Sequence, residues 1–242
     1  MIVITAYSMR CAGISQPKRL AVVSDFHNGD PDLVASALEG EMPDLVLVPG
    51  DFLHEPGKTE RGFAMLAVCA SRYPTFCSVG NHEVRCDLPD LAERVAGTGA
   101  VLLDNAYVQY GELCIGGLSS GFTRGMKQRR THPTPSPDRR FLSEFARAQG
   151  CRILLCHHPE YYDPYIREKE IPLILSGHAH GGQWEIQGRG VFAPGQGLFP
   201  RYTAGLYDGR LLVSRGLAPG KLLLPRIHNP QEILVIDLWQ SE

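Results

Sequence analysis

The chain reads as an α/β protein on three observations. Strand and helix patterns alternate over the first hundred residues, which implies right-handed βαβ units. Several strands are continuously apolar, as in sheets buried on both faces. The polar motifs lie at the carboxyl ends of these strands, where open α/β sheets place their sites.

Met1 to Ser8 reads as a first strand and Arg10 to Lys18 as a turn region. Leu20-Ala21-Val22-Val23 is a second strand, ending in Ser24-Asp25-Phe26-His27-Asn28-Gly29. Pro31 opens a helical pattern through Leu33, Val34, Ala37 and Leu38 that stops near Gly40 and Pro43. Strand Leu45 to Val48 runs into Pro49-Gly50-Asp51. A helix over Thr59 to Ser71 follows, with Phe63, Leu66, Ala67 and Ala70 on one face. Strand Thr75 to Val79 ends in Gly80-Asn81-His82-Glu83, Asp87 to Ala96 reads as helix, and Val101 to Leu118 as extended segments.

Phe122 to Asp138 reads as a loop rich in Arg, Pro and Thr, and Pro137-Asp138 suits the start of a helix reaching Ala148, closed by Gly150. Strand Arg152 to Cys156 delivers His157-His158-Pro159. Leu173-Ile174-Leu175 leads into Ser176-Gly177-His178-Ala179-His180-Gly181-Gly182. Beyond Gly182 the patterns are short, extended and glycine-rich, which predicts a mainly antiparallel second sheet. With no repeat, low-complexity tract or linker, residues 1–242 read as one domain.

A hydrophobic fraction of 43% and a charged fraction of 21% fit a globular protein. The net charge of −2 gives no global basic field for a nucleic acid partner. Seven cysteines, an odd number without a C-x-x-C pair, read as reduced structural thiols in a reducing compartment. The apolar run within Met1 to Met9 is too short for a membrane span and lacks the layout of a signal peptide. The expected location is the cytoplasm.

Five polar clusters stand in line: Asp25-x-His27, Gly50-Asp51, Gly80-Asn81-His82, His157 and Gly177-His178-x-His180. One D-x-H or G-D means little, but five in this order, each after an apolar strand, form a specific signal. Oxygen and nitrogen donors without thiolates suit Mn²⁺, Fe or Zn²⁺. Regular strand alternation would put His178 and His180 on one face, converging on one site. The glycines around them permit positive φ.

This order of motifs resembles the calcineurin-like metallophosphoesterase superfamily over nearly the whole chain. The resemblance implies a four-layer αββα sandwich of two mixed β-sheets flanked by helices, with two divalent metal ions, Mn²⁺ ahead of Fe or Zn²⁺. It assigns Asp25, His27 and His180 to the first ion, Asn81, His157 and His178 to the second, and Asp51 to both. His178 and His180 thereby part, against the one-face reading. His82 is implied to be a general acid beside the scissile phosphate rather than a ligand. The implied activity is hydrolysis of P–O bonds in small phosphoesters, as a phosphodiesterase or phosphatase, by attack of a metal-bridging hydroxide.

Tyr202 to Tyr207, Ser214 to Leu217 and Pro230 to Ile233 resemble the bacterial branch of YkuE-like and YaeI-like phosphodiesterases. Many of that branch carry an N-terminal membrane segment or export signal, and the stretch Met1 to Met9 reads as neither, which sets a lipid substrate or peripheral membrane contact second to a small phosphoester. One rival is a hydrolase of a nucleotide-linked lipid, like UDP-2,3-diacylglucosamine pyrophosphatase. The other is an inactive protein-binding scaffold, against which every ligand and His82 are present.

Other polar residues carry weaker signals. Glu83 reads as a solvent-exposed carboxylate, the alternative being an orienter of His82. His54 reads as surface that could reach phosphate, and His158 as a substrate contact or a flanking residue. Tyr161, Tyr162 and Tyr165 read as packing, with ring stacking on a substrate as the alternative. The basic stretch Arg124 to Arg140 is a solvated charge run or a second phosphate site.

Overall fold

A computed structural model of the chain describes residues 2–123, 126, 134–187, 189–219 and 226–241. One six-stranded sheet has the order β1 (Val3–Cys11), β16 (Glu232–Gln240), β2 (Lys18–Val22), β3 (Leu45–Val48), β4 (Thr75–Ser78), β5 (Val101–Leu103). Strands β2 to β5 are parallel, and β16 runs parallel to β1 but antiparallel to β2. The other sheet has the order β14 (Gly205–Tyr207), β15 (Leu211–Val213), β9 (Leu173–Ser176), β8 (Cys151–Cys156), β7 (Leu113–Leu118), β6 (Ala106–Tyr110).

In the second sheet β15, β9, β8 and β7 are parallel, and only the outer β14 and β6 are antiparallel to their neighbours. The expectation of a mainly antiparallel second sheet is thus corrected. The short segments after Gly182 scatter over the molecule. Strands β10 (Glu185–Ile186) with β11 (Arg189–Gly190), and β12 (Phe192–Ala193) with β13 (Gly197–Leu198), are separate ribbons, while β16 is inserted in the first sheet. Which strand a short segment pairs with is set by tertiary contacts that its own pattern does not encode.

Alternation along each strand sorts its side chains between layers. Leu20 and Val22 of β2 join Ile153 and Leu155 of β8 between the two sheets. The intervening Ala21 packs outward with residues of α1 (Pro31–Glu41) and α2 (Glu60–Ala70), and Leu154 packs outward with α5 (Arg139–Phe145). Three apolar cores therefore separate four layers, the αββα order. Each fully buried aliphatic side chain contributes ~1.5–3 kcal/mol, which makes the strand ends a stiff platform.

The helices follow the sequence signals with local differences. Asp30 caps α1 by accepting from the Asp32 amide at 3.2 Å, and Asp138 caps α5 through the amides of Arg140 and Phe141. The helix expected over Asp87 to Ala96 is α4 (Leu91–Gly97), and a further helix that was not expected, α3 (Asn81–Cys86), precedes it and is ended by the left-handed Asp87. Asn81 and His82 consequently stand in a helical first turn.

Cys11 and Cys151 form a disulfide between β1 and β8, one strand from each sheet, with Cα atoms 5.8 Å apart. The reading of all seven cysteines as reduced thiols is corrected at this pair, whose partners are 140 residues apart in sequence. Cys69, Cys77, Cys86, Cys114 and Cys156 are buried free thiols, and burial pushes Cys69 up to about 12. Among the described residues no helix is long and apolar enough to cross a membrane.

Candidate metal centre

Strands β2, β3 and β4 of one sheet and β8 and β9 of the other deliver their polar motifs to one place. The loops are tied together by backbone hydrogen bonds: His27 donates to Asp51 at 3.3 Å, Gly177 to His157 at 3.2 Å and Leu217 to Ser24 at 2.9 Å. Asp25, His27, Asp51, His178 and His180 all take positive φ, between 44° and 65°. Non-glycine residues seldom do so, and such strain is held only where the surroundings over-determine it. Glycine is needed where backbone passes a carboxylate: a Cβ on Gly80 would collide with Asp51, and one on Gly177 with Asp25.

Among the described residues, four groups of donor atoms close enough to hold an ion result, including His27 with His54 and His82, and His158 with Glu160 and His178; the other two match the implied ligand sets. Asp25, His27 and His180 form one, with His27 and His180 stacked at 5.1 Å and His180 Nε2 3.6 Å from Asp25 Oδ1. Asp51, His157 and His178 form the other, with His157 Nε2 3.1 Å from Asp51 Oδ2 and 3.2 Å from His178 Nδ1. Asp51 Oδ2 also lies 3.5 Å from His27 Nε2, so this oxygen stands between the clusters. His178 and His180 are divided between them, as the resemblance implies and regular strand alternation does not. β9 ends at Ser176, and the positive φ of His178 breaks the alternation there.

Asp25 is fully buried and accepts from Ser24 Oγ at 2.7 Å and from the His178 amide at 3.0 Å. Asp51 Oδ1 accepts from the His82 amide at 2.8 Å, which lays the Asn81–His82 peptide against it. His82 bonds through Nδ1 to the His54 carbonyl. Arg85 Nη2 also lies 2.9 Å from this Nδ1, and Nε2 faces the centre, 3.9 Å from Asp51 Oδ2.

Burial decides most of the electrostatics. It lowers His27, His178, His180 and His82 below the usual histidine range. Burial would lower His157 too, but the adjoining Asp51 carboxylate outweighs it and raises the ring to about 10. Asp51, although buried, is held well below the usual carboxylate range by His157 and His82.

The donor set fits a divalent metal. Both ring nitrogens of His27 and Oδ1 of Asn81 are buried with no hydrogen-bond partner among the described residues. Buried polar groups are rarely left so, and ligation would satisfy them.

Several residues differ from their sequence reading. Glu83 is not solvent-exposed. It is 2% exposed, and its carboxylate accepts the backbone N–H of Asp51, Gly80 and Leu53, each at 2.8 Å. Burial, with Asp51 beside it, pushes the Glu83 carboxyl up to about 8. It therefore braces the Asp51 loop rather than orienting the His82 ring. His54 is no bystander, since its ring stacks on His82 at 5.8 Å and lines the same cleft.

His158 is fully buried, with Nε2 2.7 Å from Ser120 Oγ. Glu160 carried no signal in the sequence, yet its Oε1 lies 3.4 Å from His158 Nδ1 and 3.7 Å from His178 Nε2. With His178 Nδ1 toward His157 and Nε2 toward Glu160, a carboxylate stands behind the ring as it commonly does behind metal-bound histidine. Tyr161 and Tyr162 are core residues, in line with the packing reading. Arg124, Lys127, Arg129 and Arg130 lie outside the described residues. Arg140 pairs with Glu144 at 3.0 Å on α5.

A sandwich of two mixed sheets carries clusters of Asp and His that could hold a metal ion at the ends of paired parallel strands. The family model for calcineurin-like phosphoesterases matches residues 18–182, and the chain belongs to that family. An uncharacterized metallophosphoesterase of Campylobacter jejuni is 26% identical over 246 residues, covering 91% of this chain and 59% of that protein. Phosphodiesterase YaeI of Escherichia coli is 27% identical over 223 residues, covering 86% of this chain and 74% of that protein. The crystal structure of TT1561 of Thermus thermophilus aligns with a TM-score of 0.46 at 12% identity, covering 85% of this chain and 92% of that one. The chain spans only 59% and 45% of the Campylobacter and one of the Helicobacter pylori relatives it matches.

Proposed function

We propose that the chain hydrolyses small phosphoesters at a centre of two divalent ions. Asp25, His27 and His180 hold one, Asn81, His157 and His178 the other, and Asp51 both. The observation that carries this reading is the place of Asp51 Oδ2, 3.5 Å from His27 and 3.1 Å from His157. When bound, such ions activate a water and neutralise the phosphoryl oxygens of an in-line displacement.

The chain's own residues supply the rest. Asp51 sets the spacing of the two halves, and Glu83 holds the loop that carries it. His82 presents Nε2 to the centre and, when protonated, gives its proton to the leaving oxygen. A cleft of about 560 Å³ opens over the centre between His54, Lys58, Gln183 and Pro194, enough for a small phosphodiester or phosphomonoester.

Protein stripped of metal and reloaded with Mn²⁺, Zn²⁺ or Fe²⁺ tests the reading. Elemental analysis should return two ions per chain, and p-nitrophenyl phosphate or bis(p-nitrophenyl) phosphate should be hydrolysed only after reloading. Full occupancy without hydrolysis of either, or of alkyl phosphoesters, refutes it.

A further inference from the structure

The cleft has a cation on its wall that the proposed reaction does not use. Arg226 lines it beside Asn28, Gln183 and His180 and is half-buried. Among the described residues its guanidinium donates only to two backbone carbonyls, Arg215 at 2.8 Å and Pro230 at 3.3 Å. These use two of its five N–H groups. The carboxylates whose fields favour its charge, Asp25 and Glu232, are engaged elsewhere. Asp25 accepts from Ser24 and the His178 amide, and Glu232 pairs with Arg215 at 2.7 Å and accepts from Thr5 at 2.8 Å.

A guanidinium withdrawn from water without a carboxylate of its own is an electrostatic cost unless an anion completes it. The two carbonyls fix the fork, so its remaining donors are oriented before any ligand arrives. Arg226 shares the wall of this cleft with His180 and His27.

We propose that Arg226 is an anion subsite of the cleft, whose unbonded N–H groups take a phosphate oxygen of the substrate beside Asp25 and His180. This rests on the phosphoesterase reading above. Guanidinium matches phosphate bidentately, and such charge-assisted bonds are roughly twice as strong as neutral ones. The oxygen comes from the scissile phosphate or from a second phosphate on the same substrate.

The test compares Mn²⁺-loaded wild type, Arg226→Gln and Arg226→Lys. The readouts are the inhibition constant of inorganic phosphate, kcat and KM on bis(p-nitrophenyl) phosphate, and KM for ADP-ribose, which carries a second phosphate. Arg226→Gln should weaken anion binding about 10- to 100-fold, with metal content and thermal midpoint unchanged. Arg226→Lys should recover part of it by keeping the charge without the fork. Loss in the phosphate inhibition constant and on bis(p-nitrophenyl) phosphate assigns the contact to the scissile phosphate, and loss confined to ADP-ribose to a second one. Changes within twofold in both the phosphate inhibition constant and the ADP-ribose KM overturn the proposal, as does parallel loss of metal and of thermal stability in both variants. A wild type that neither binds phosphate nor hydrolyses any of these esters would instead sink the phosphoesterase reading.

Discussion

His27 and His180, which group with the buried Asp25, line the cleft, whereas Asp51, His157 and His178 lie beneath it, and the two groups differ in what already holds them. The side chains of His27 and His180 are 6% and 16% exposed, and those of His157 and His178 are 0% and 3%. His157 is held at both nitrogens, by the Pro49 carbonyl at 2.9 Å and by Asp51 at 3.1 Å. His27 has no hydrogen bond at either nitrogen among the described residues. The deep imidazole His157 is thus held by the protein itself, whereas His27 has no such partner. Only Asp51 belongs to both halves, so it should be the residue whose loss erases the distinction.

Asp51→Asn therefore carries the largest expected effect. It should lower kcat/KM on the order of 10³-fold or more and reduce bound metal in both halves, while the circular dichroism stays that of wild type. A variant that keeps both ions would show that the halves do not share this residue. Next comes His82→Ala, which removes none of the proposed ligands. Its loss should cost ~10²–10⁴-fold on alkyl phosphoesters and roughly 10-fold on nitrophenyl esters, whose leaving group needs no proton. Equal losses on both substrates would mean that His82 is not the acid.

Glu83→Gln tests what props up the deep half. Above pH 8, where the Glu83 carboxyl is ionised, an amide presents one acceptor oxygen where the carboxylate presents two, so at least one of three buried N–H groups loses its partner. The expected cost is about 1–3 kcal/mol per stranded group, read as a fall in the denaturant midpoint of metal-free protein. If the midpoint is unchanged, Glu83 does not brace the loop.

The candidate ligands could be picked out of the sequence because each sits within a few residues of an apolar strand end, and strand ends can be read locally. Their division between two clusters came from the resemblance. Strand periodicity had it wrong at His178, where the backbone turns left-handed. Glu83 was misread because charged residues are exposed by default, and its amide partners Asp51 and Leu53 lie 32 and 30 residues away. The Cys11–Cys151 bridge and the insertion of β16 beside β2 escaped for the same reason. Both are contacts between distant segments with no local pattern to announce them.

The smallest expected effect, a single proton, separates the halves most cleanly. His157 is raised to about 10 in metal-free protein, while burial keeps His27 and His180 below their ordinary value and hence neutral at pH 7. A folded-state value above the ordinary 6.5 means that the His157–Asp51 pair stabilises metal-free protein fully below pH 6.5. That stability fades as pH rises to about 10. An ion entering the deep half must displace this proton, so its affinity should rise about tenfold per pH unit between 7 and 10. Binding in the shallow half should hardly change over the same range. Calorimetry of Mn²⁺ binding at pH 9 under argon, in two buffers of different ionisation enthalpy, reads the difference directly. That pH lies above the value of about 8 for Glu83 and below that of His157, so the displaced proton belongs to the histidine. One ion should release about one proton and the other none. Equal release by both ions would mean that the two halves start from the same protonation state, and the contrast between them would fall.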